Sequence, residues 1–292
     1  MQTFHMQTFQ KILFPIDMSD SSTAAAPFVA TMAKKFQAEV TLLHVLQLPP
    51  GYVTDWYGYM ALVDTGAIRE ARQNEFESYL KNEFEGITLR REMLEGDASE
   101  VINNYAAANG TDLIMMPTHG YGIFRSMLLG SVTAKVLHDA ACPVWTGVHV
   151  EETPPNSASF ERIMCAVDLT DKSIPAMQFA AKLAQDFHAK LWLIHAVPCA
   201  ETRPQRYFEA DLQAFLEDEA RKAIGKMQET AGVMAQLCLG AGEIPHVVRE
   251  AALHHGADLV VIGRGHASRT LGRLRTNVYS IIRQSPCPVI SV

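Results

Sequence analysis

Lys11-Ile12-Leu13-Phe14-Pro15-Ile16-Asp17 and Arg162-Ile163-Met164-Cys165-Ala166-Val167-Asp168 are one stretch written twice, 151 residues apart. Each is a short apolar run ending on an aspartate. The same offset carries Phe28, Val29, Met32, Ala33 and Phe36 onto Phe179, Ala180, Leu183, Ala184 and Phe187. It also carries Thr41-Leu42-Leu43-His44-Val45 onto Trp192-Leu193-Ile194-His195-Ala196. Further on, Asp112-Leu113-Ile114-Met115-Met116 matches Asp258-Leu259-Val260-Val261-Ile262 at an offset of 146, and Cys142-Pro143-Val144 matches Cys287-Pro288-Val289 at 145. A register held over three blocks that then drifts by only a few residues is an internal duplication. The chain reads as two copies of one domain, residues 1–150 and 161–292. The join, residues 151–160, begins Glu151-Glu152-Thr153-Pro154-Pro155-Asn156-Ser157, a polar and proline-rich linker.

Within each copy, strand and helix patterns alternate. In the first, residues 12–16 and 40–46 are apolar enough for strands buried on both faces. Between them, residues 21–36 repeat apolar side chains on one helical face, with Pro27 positioned to shift the helix start or kink it. A charged helix over 67–84, a strand over 88–94, a helix over 98–108, a strand over 113–116, a helix over 131–138 and a last strand over 143–150 follow. Five strands alternating with four helices specify a doubly wound parallel sheet, because parallel strands need crossover helices. Its functional crevice lies outside the carboxyl ends of the strands, where strand order reverses. Asp17 and the loop after Met116 fall at such ends.

That loop reads Pro117-Thr118-His119-Gly120-Tyr121-Gly122-Ile123-Phe124-Arg125-Ser126-Met127-Leu128-Leu129-Gly130-Ser131-Val132-Thr133. A strand end, a glycine-containing loop and Gly-Ser opening a helix form an arrangement suited to an anion. Gly130 lets backbone amides come close, Ser131 can cap the helix or bond a phosphate oxygen, and the helix start offers unpaired N–H groups. The same residues serve equally as a plain helix cap, and spacing alone leaves both open.

Thr118-His119-Gly120, nine residues, then Gly130-Ser131, together with the string Leu128-Leu129-Gly130-Ser131-Val132, resembles the nucleotide motif of the UspA, or universal stress protein, superfamily. The resemblance covers nearly the whole chain, as a tandem two-domain member. It implies two flavodoxin-like (adenine nucleotide alpha hydrolase-like) α/β domains, each with a five-stranded parallel sheet flanked by helices. It also implies a stress-response regulatory role and an adenine nucleotide, ATP or AMP with or without Mg2+, bound in the first domain. In that reading Asp17 recognises the adenine side and the Val45 backbone borders the base. Gly120, Gly130, Ser131, Val132 and Thr133 line the ribose and phosphates, and His119 is placed to donate to phosphate or to serve the loop's own structure. Pro117 departs from the pattern, which has glycine there; proline removes an amide and fixes φ.

The second copy departs further. Gly263-Arg264-Gly265 puts Gly263 where the first copy has Pro117 and Gly265 where it has Gly120, in a loop one residue shorter. Arg275-Thr276 takes the place of Gly130-Ser131, setting a long side chain where bare backbone is wanted. Asp168 persists, as a site carboxylate or a turn residue. The expectation is one working site and one degenerate one. Arg264, Arg269, Arg273 and Arg275 could attract another anion, but read first as a solvated basic face.

Other chemistry is thinly represented. No P-loop lysine follows Gly130, no nucleophile elbow occurs, and the dinucleotide fingerprint is absent after the first strand, so catalysis beyond weak ATP hydrolysis is not expected. His44 and His195 fall mid-strand and read as matched core histidines. The five cysteines form no C-x-x-C pair and suit reduced thiols in a cytoplasmic protein. Asp and Glu outnumber Lys and Arg, 32 to 25, which argues against a nucleic-acid or anionic-membrane coat. No run nears the length of a membrane span, and the repeated Met-Gln-Thr-Phe at the N-terminus carries no fold meaning. The resemblance further implies pairing of the last strands, 143–150 and 288–292, as an intramolecular pseudo-dimer, with homodimerisation of whole chains beyond it. The rival readings are a nucleotide-free interaction or scaffold protein and a slow ATPase.

Overall fold

The computed structural model describes residues 9–48, 52–54, 60–62, 64–118, 129–147, 160–198, 206–264 and 273–292, with backbone alone for 52–54, 60–62, 206–210 and 273–276. Its described part forms two compact units, divided between Val144 and Trp145.

The first unit opens with β1 (Lys11–Ile16), α1 (Asp20–Phe36) and β2 (Glu39–Leu46). Ser19 caps α1 by accepting the Ser22 amide, Lys34 and Lys35 sit in its last turn, and Gln37 closes it in the left-handed conformation. Its inner face buries Ala25, Ala26, Phe28, Val29, Met32 and Ala33. Pro27 lies inside the helix and neither starts nor ends it. A small antiparallel hairpin, β3 (Tyr52–Thr54) with β4 (Met60–Leu62), follows in a region whose sequence showed no strand pattern. Then come α2 (Thr65–Ser78), β5 (Leu89–Glu95), α3 (Ala98–Asn109), β6 (Leu113–Pro117) and α4 (Ser131–Asp139); β7 (Val144–Gly147) starts on the last residue of this unit, and its other residues are counted with the second. Helix α2 stops at Ser78 rather than near residue 84, because Leu80 turns left-handed (φ 50°). The Arg91 guanidinium of β5 then bonds the carbonyls of Phe76 and Tyr79 at 2.9 and 2.7 Å.

The second unit repeats the plan with β8 (Arg162–Ala166), α5 (Ile174–Phe187), β9 (Lys190–Val197), α6 (Arg206–Ala231), β10 (Gln236–Ala241), α7 (Ile244–His255), β11 (Leu259–Ile262), α8 (Arg273–Gln284) and β12 (Val289–Ser291). Its strands lie in the order β10-β9-β8-β11-β12, all parallel. The first unit runs β5-β2-β1-β6 in the same sense, and the Ile114 amide continues onto the Pro143 carbonyl at 3.0 Å. This is the parallel α/β architecture the alternating pattern predicts.

The repeat is visible in detail. The Asp112 carboxylate accepts the amides of Gln10 and Lys11, and Asp258 accepts those of Glu161 and Arg162. Phe9 meets Phe36 edge-on at 5.0 Å, as Phe160 meets Phe187 at 5.0 Å. In both units the strand order reverses at the first strand, which opens a crevice between the carboxyl ends of strands one and four.

Candidate functional site

Asp17 stands one residue beyond β1, and Ile16 pairs with His44, so Asp17 and Val45 are successive neighbours at the carboxyl ends of adjacent strands. The aspartate is held firmly. Its Oδ1 accepts the Ser19 amide at 3.1 Å and the Ser22 hydroxyl at 2.9 Å, while its own amide donates to Ser22 Oγ. Between Asp17 and Ser19, buried Met18 adopts φ 61°, a left-handed conformation unusual for a side chain of that size. Beneath it, His44 donates from Nδ1 to the Ile16 carbonyl at 3.0 Å, since a carbonyl can only accept. Tyr79 OH donates to the Ser19 carbonyl at 3.1 Å, tying the end of α2 to the start of α1.

On the other side of β1, strand β6 ends at Pro117 and the chain returns at Gly130. The Gly130 amide donates to the Thr118 carbonyl at 2.9 Å, and the Thr133 hydroxyl donates to the Pro117 carbonyl at 3.2 Å. These two bonds fix the start of α4 against the end of β6. They also commit the Thr133 proton to the backbone. Gly130 is the N-cap of α4 and supplies no side-chain bond. Among the described residues, no acceptor meets the amides of Ser131, Val132 and Thr133. By contrast, Ser19, Asp64 and Asp97 each cap their own helices with a side chain. Among the described residues, the start of α4 is therefore a set of unpaired donors at the positive end of a helix dipole, beside the carboxyl end of β6. His119 and Gly120 lie outside the described residues.

One further feature separates β1 from β6. Their ladder covers Ile12 with Leu113 and Leu13 with Ile114 and then stops, while β1 remains paired with β2 as far as Ile16. Pro15, two residues past that point, has no amide to give. The parting falls where the strand order reverses.

The second unit keeps the aspartate and changes its surroundings. Asp168 Oδ1 accepts the Thr170 amide at 3.0 Å and the hydroxyls of Thr170 and Ser173 at 2.6 and 2.7 Å. His195 donates to the Val167 carbonyl at 2.9 Å. Leu169, in the place of Met18, is 45% exposed. Here β8 and β11 stay paired up to Ala166 with Ile262. Helix α8 begins at Arg273, so Arg275 and Thr276 lie inside the helix and not at its cap. At Gly263 an added Cβ would meet Ala176 Cβ at 3.8 Å and the Lys172 carbonyl at 4.0 Å, so packing does not demand a glycine there. Gly265 and Arg269 lie outside the described residues.

The sequence profile of the Universal stress protein family matches twice, over residues 8–146 and 159–292. The chain belongs to the universal stress protein family. Universal stress protein MJ0531 of Methanocaldococcus jannaschii is 34% identical over 137 residues, which cover 47% of this chain and 80% of that protein. A Synechocystis universal stress protein is also 34% identical over 137 residues, 47% of this chain and 83% of its own length. A solved universal stress protein from Archaeoglobus fulgidus superimposes with a TM-score of 0.68 at 22% identity, covering 97% of this chain and 96% of that one. That likeness speaks for a shared tandem fold.

In this universal stress protein the sequence pointed to Asp17, Val45, Pro117 and Gly130 through Thr133, and the described fold brings them to one edge of one unit. It did not point to Ser22, His44 or Pro15 as parts of that edge. The signal was available for two of them. Serine recurs five residues after each aspartate, as Ser22 and Ser173, and the histidines recur with the repeat. The thiols stand apart from this edge: burial pushes Cys165 and Cys287 up to about 12, which keeps both protonated and unreactive. Among the described residues, no helix is long and apolar enough to cross a membrane, and no cluster of His, Cys, Asp or Glu is placed to hold a metal ion.

Proposed function

We propose that the chain is a cytoplasmic stress-response regulator that binds one adenine nucleotide, ATP or AMP, in its first domain and performs little or no catalysis. The observation that carries this reading is the start of α4: among the described residues its first three amides meet no acceptor and no side chain caps it, at the carboxyl end of β6, the neighbour of the strand that ends at Asp17. Phosphate oxygens would take the amides of Ser131, Val132 and Thr133, with Gly130 leaving room for close approach. The base would lie toward Asp17 and Val45. Ser131 is exposed and its hydroxyl is available to a phosphate oxygen, whereas Thr133 contributes its amide, its hydroxyl proton being spent on Pro117. Any Mg2+ would arrive with the nucleotide's own phosphates.

A nucleotide-free interaction protein is the second reading, and Pro117 favours it, because an amide is missing where the family motif has glycine. Calorimetry of the full chain with ATP and with AMP separates the two. The expected result is one nucleotide per chain, with binding lost in Asp17→Ala while the circular dichroism spectrum is kept. Absence of heat at about millimolar ATP, with no nucleotide released from the purified protein in mass spectrometry, overturns the proposal. A stoichiometry clearly above one refutes the degenerate second site. Steady phosphate release sensitive to Gly130→Val would instead support a slow ATPase.

A further inference from the structure

The turn that follows the first strand is built twice, strained in one unit and relaxed in the other. In both, the aspartate Oδ1 accepts the amide two residues on and the serine hydroxyl five residues on. Yet Met18 is buried at φ 61°, whereas Leu169 in the equivalent place is 45% exposed and not left-handed. The shared bonds do not force the strain, so the first unit must itself supply what holds it. It adds one contact. The Ser19 carbonyl receives the Thr23 amide at 3.0 Å on one lone pair and the Tyr79 hydroxyl at 3.1 Å on the other, and the Thr23 hydroxyl lies 2.8 Å from Tyr79 OH. Tyr79 stands just past the end of α2 and is anchored there. Its carbonyl accepts from the Arg91 guanidinium at 2.7 Å, and that guanidinium also lies over the Phe76 ring at 5.6 Å. The second unit has Ile174 in the place of Thr23, and among the described residues no side chain from elsewhere reaches the Thr170 carbonyl.

We propose that Tyr79 is a positioning residue of the nucleotide site, whose hydroxyl holds the strained turn and through it the direction of the Asp17 carboxylate. This role rests on the nucleotide reading above, in which Asp17 faces the base. Asp17 Oδ1 is bound to two groups of the turn, so the places of Ser19 and Ser22 fix the carboxylate plane and with it the aim of Oδ2. Without the Tyr79 bond, Met18 relaxes toward the geometry of Leu169 and the carboxylate loses its single direction. A group already set in its binding geometry spares the ligand the cost of ordering it. The effect falls on the base end alone. The start of α4 is fixed separately, by the bonds of Gly130 to Thr118 and of Thr133 to Pro117.

The test compares ATP with inorganic tripolyphosphate, read as a competitor of ATP, on the unaltered full chain and on Tyr79→Phe, which removes the hydroxyl and keeps the ring. The expected result is about a tenfold loss of ATP affinity with the affinity for tripolyphosphate unchanged. In the ligand-free variant the Ser19 amide should exchange faster, while amides in the middle of α1 keep their rates. Undiminished ATP affinity in the variant, equal losses for ATP and tripolyphosphate, or unaltered exchange at Ser19 would each overturn the proposal. So would ATP that tripolyphosphate does not displace, since the site would then lack a separate phosphate end. Absence of ATP binding by the unaltered chain would overturn the nucleotide reading and this role with it. That failure shows before any variant is made, whereas failure of Tyr79 alone shows only in the variant.

Discussion

The two strand-end regions share an ancestor and now differ in how open they are. In the first unit the ladder between strands one and four ends at Leu13, a proline follows, and the helix beyond starts on a bare glycine whose next three amides meet no acceptor among the described residues. In the second unit the corresponding ladder runs two pairs further, and the helix starts before the equivalent position, enclosing Arg275 and Thr276. The aspartate, its serine and its histidine are nearly superimposable in role across both. The lesson is that Asp17 and Asp168 do not distinguish the two units, because both carboxylates bond the turn that follows them. What separates the described parts of the two units is backbone: how far the strand ladder runs, and where a helix begins.

The largest effect should come from filling that bare position. Gly130 has φ −56° and ψ 142°, values open to any residue, so Gly130→Val changes the approach to the amides without forcing the fold. In the nucleotide-binding reading it should lower ATP affinity by about a hundredfold, roughly 2.7 kcal/mol. Arg275→Gly should create no second site, because that residue lies within α8. Calorimetry on both variants reads this directly. A chain that binds two nucleotides after Arg275→Gly would show that the side chain, and not the helix start, had closed the second unit.

Much of this was legible in the sequence. The repeat gave two domains, the apolar runs gave the strands, and terminal aspartates marked strand ends. Helix boundaries were less legible where a tertiary contact sets them. The α2 helix ends at Ser78, where Leu80 turns left-handed and Arg91 of β5 bonds the Phe76 and Tyr79 carbonyls, a contact that no local pattern encodes. The β3–β4 hairpin gave no alternating pattern to read. His44 was legible as a core histidine, but its bond to Ile16 depends on the register between β1 and β2, which no local pattern encodes. The parting of β1 from β6 hides behind a single residue, Pro15, that looks like any other member of an apolar run.

That histidine bond gives the next comparison. His44→Phe keeps the ring's bulk beside Phe76 and leaves the Ile16 carbonyl without its donor. The site is buried, so the loss should be about 2 kcal/mol in chemical denaturation. His195→Phe removes the matching bond at a half-buried position and should cost about 1 kcal/mol, since water can replace part of it. Equal losses would mean that water reaches both carbonyls alike, and the difference in burial between His44 and His195 would carry no energy.

The smallest effect concerns acid. Asp97 caps α3 through the amides of Ser99 and Glu100 and accepts the Ser99 hydroxyl, and Lys135 of α4 lies 3.6 Å away. The Ser99 hydroxyl, then the Glu100 amide, hold its carboxyl below the usual carboxylate range. The equivalent residue of the second unit is Glu243, which makes no side-chain cap at the start of α7; Pro245 in the first turn there needs no donor satisfied. A carboxyl with a depressed value in the folded state stabilises fully above its unfolded value, near pH 4, and that contribution disappears as pH falls through the folded value. Acidification should therefore loosen the start of α3 before the start of α7, with faster amide exchange near Ser99 and Glu100. Asp97→Asn should flatten that pH dependence and leave α7 unaffected. Parallel loosening of both helices would place the acid sensitivity in something the two units share, and the cap would not be its source.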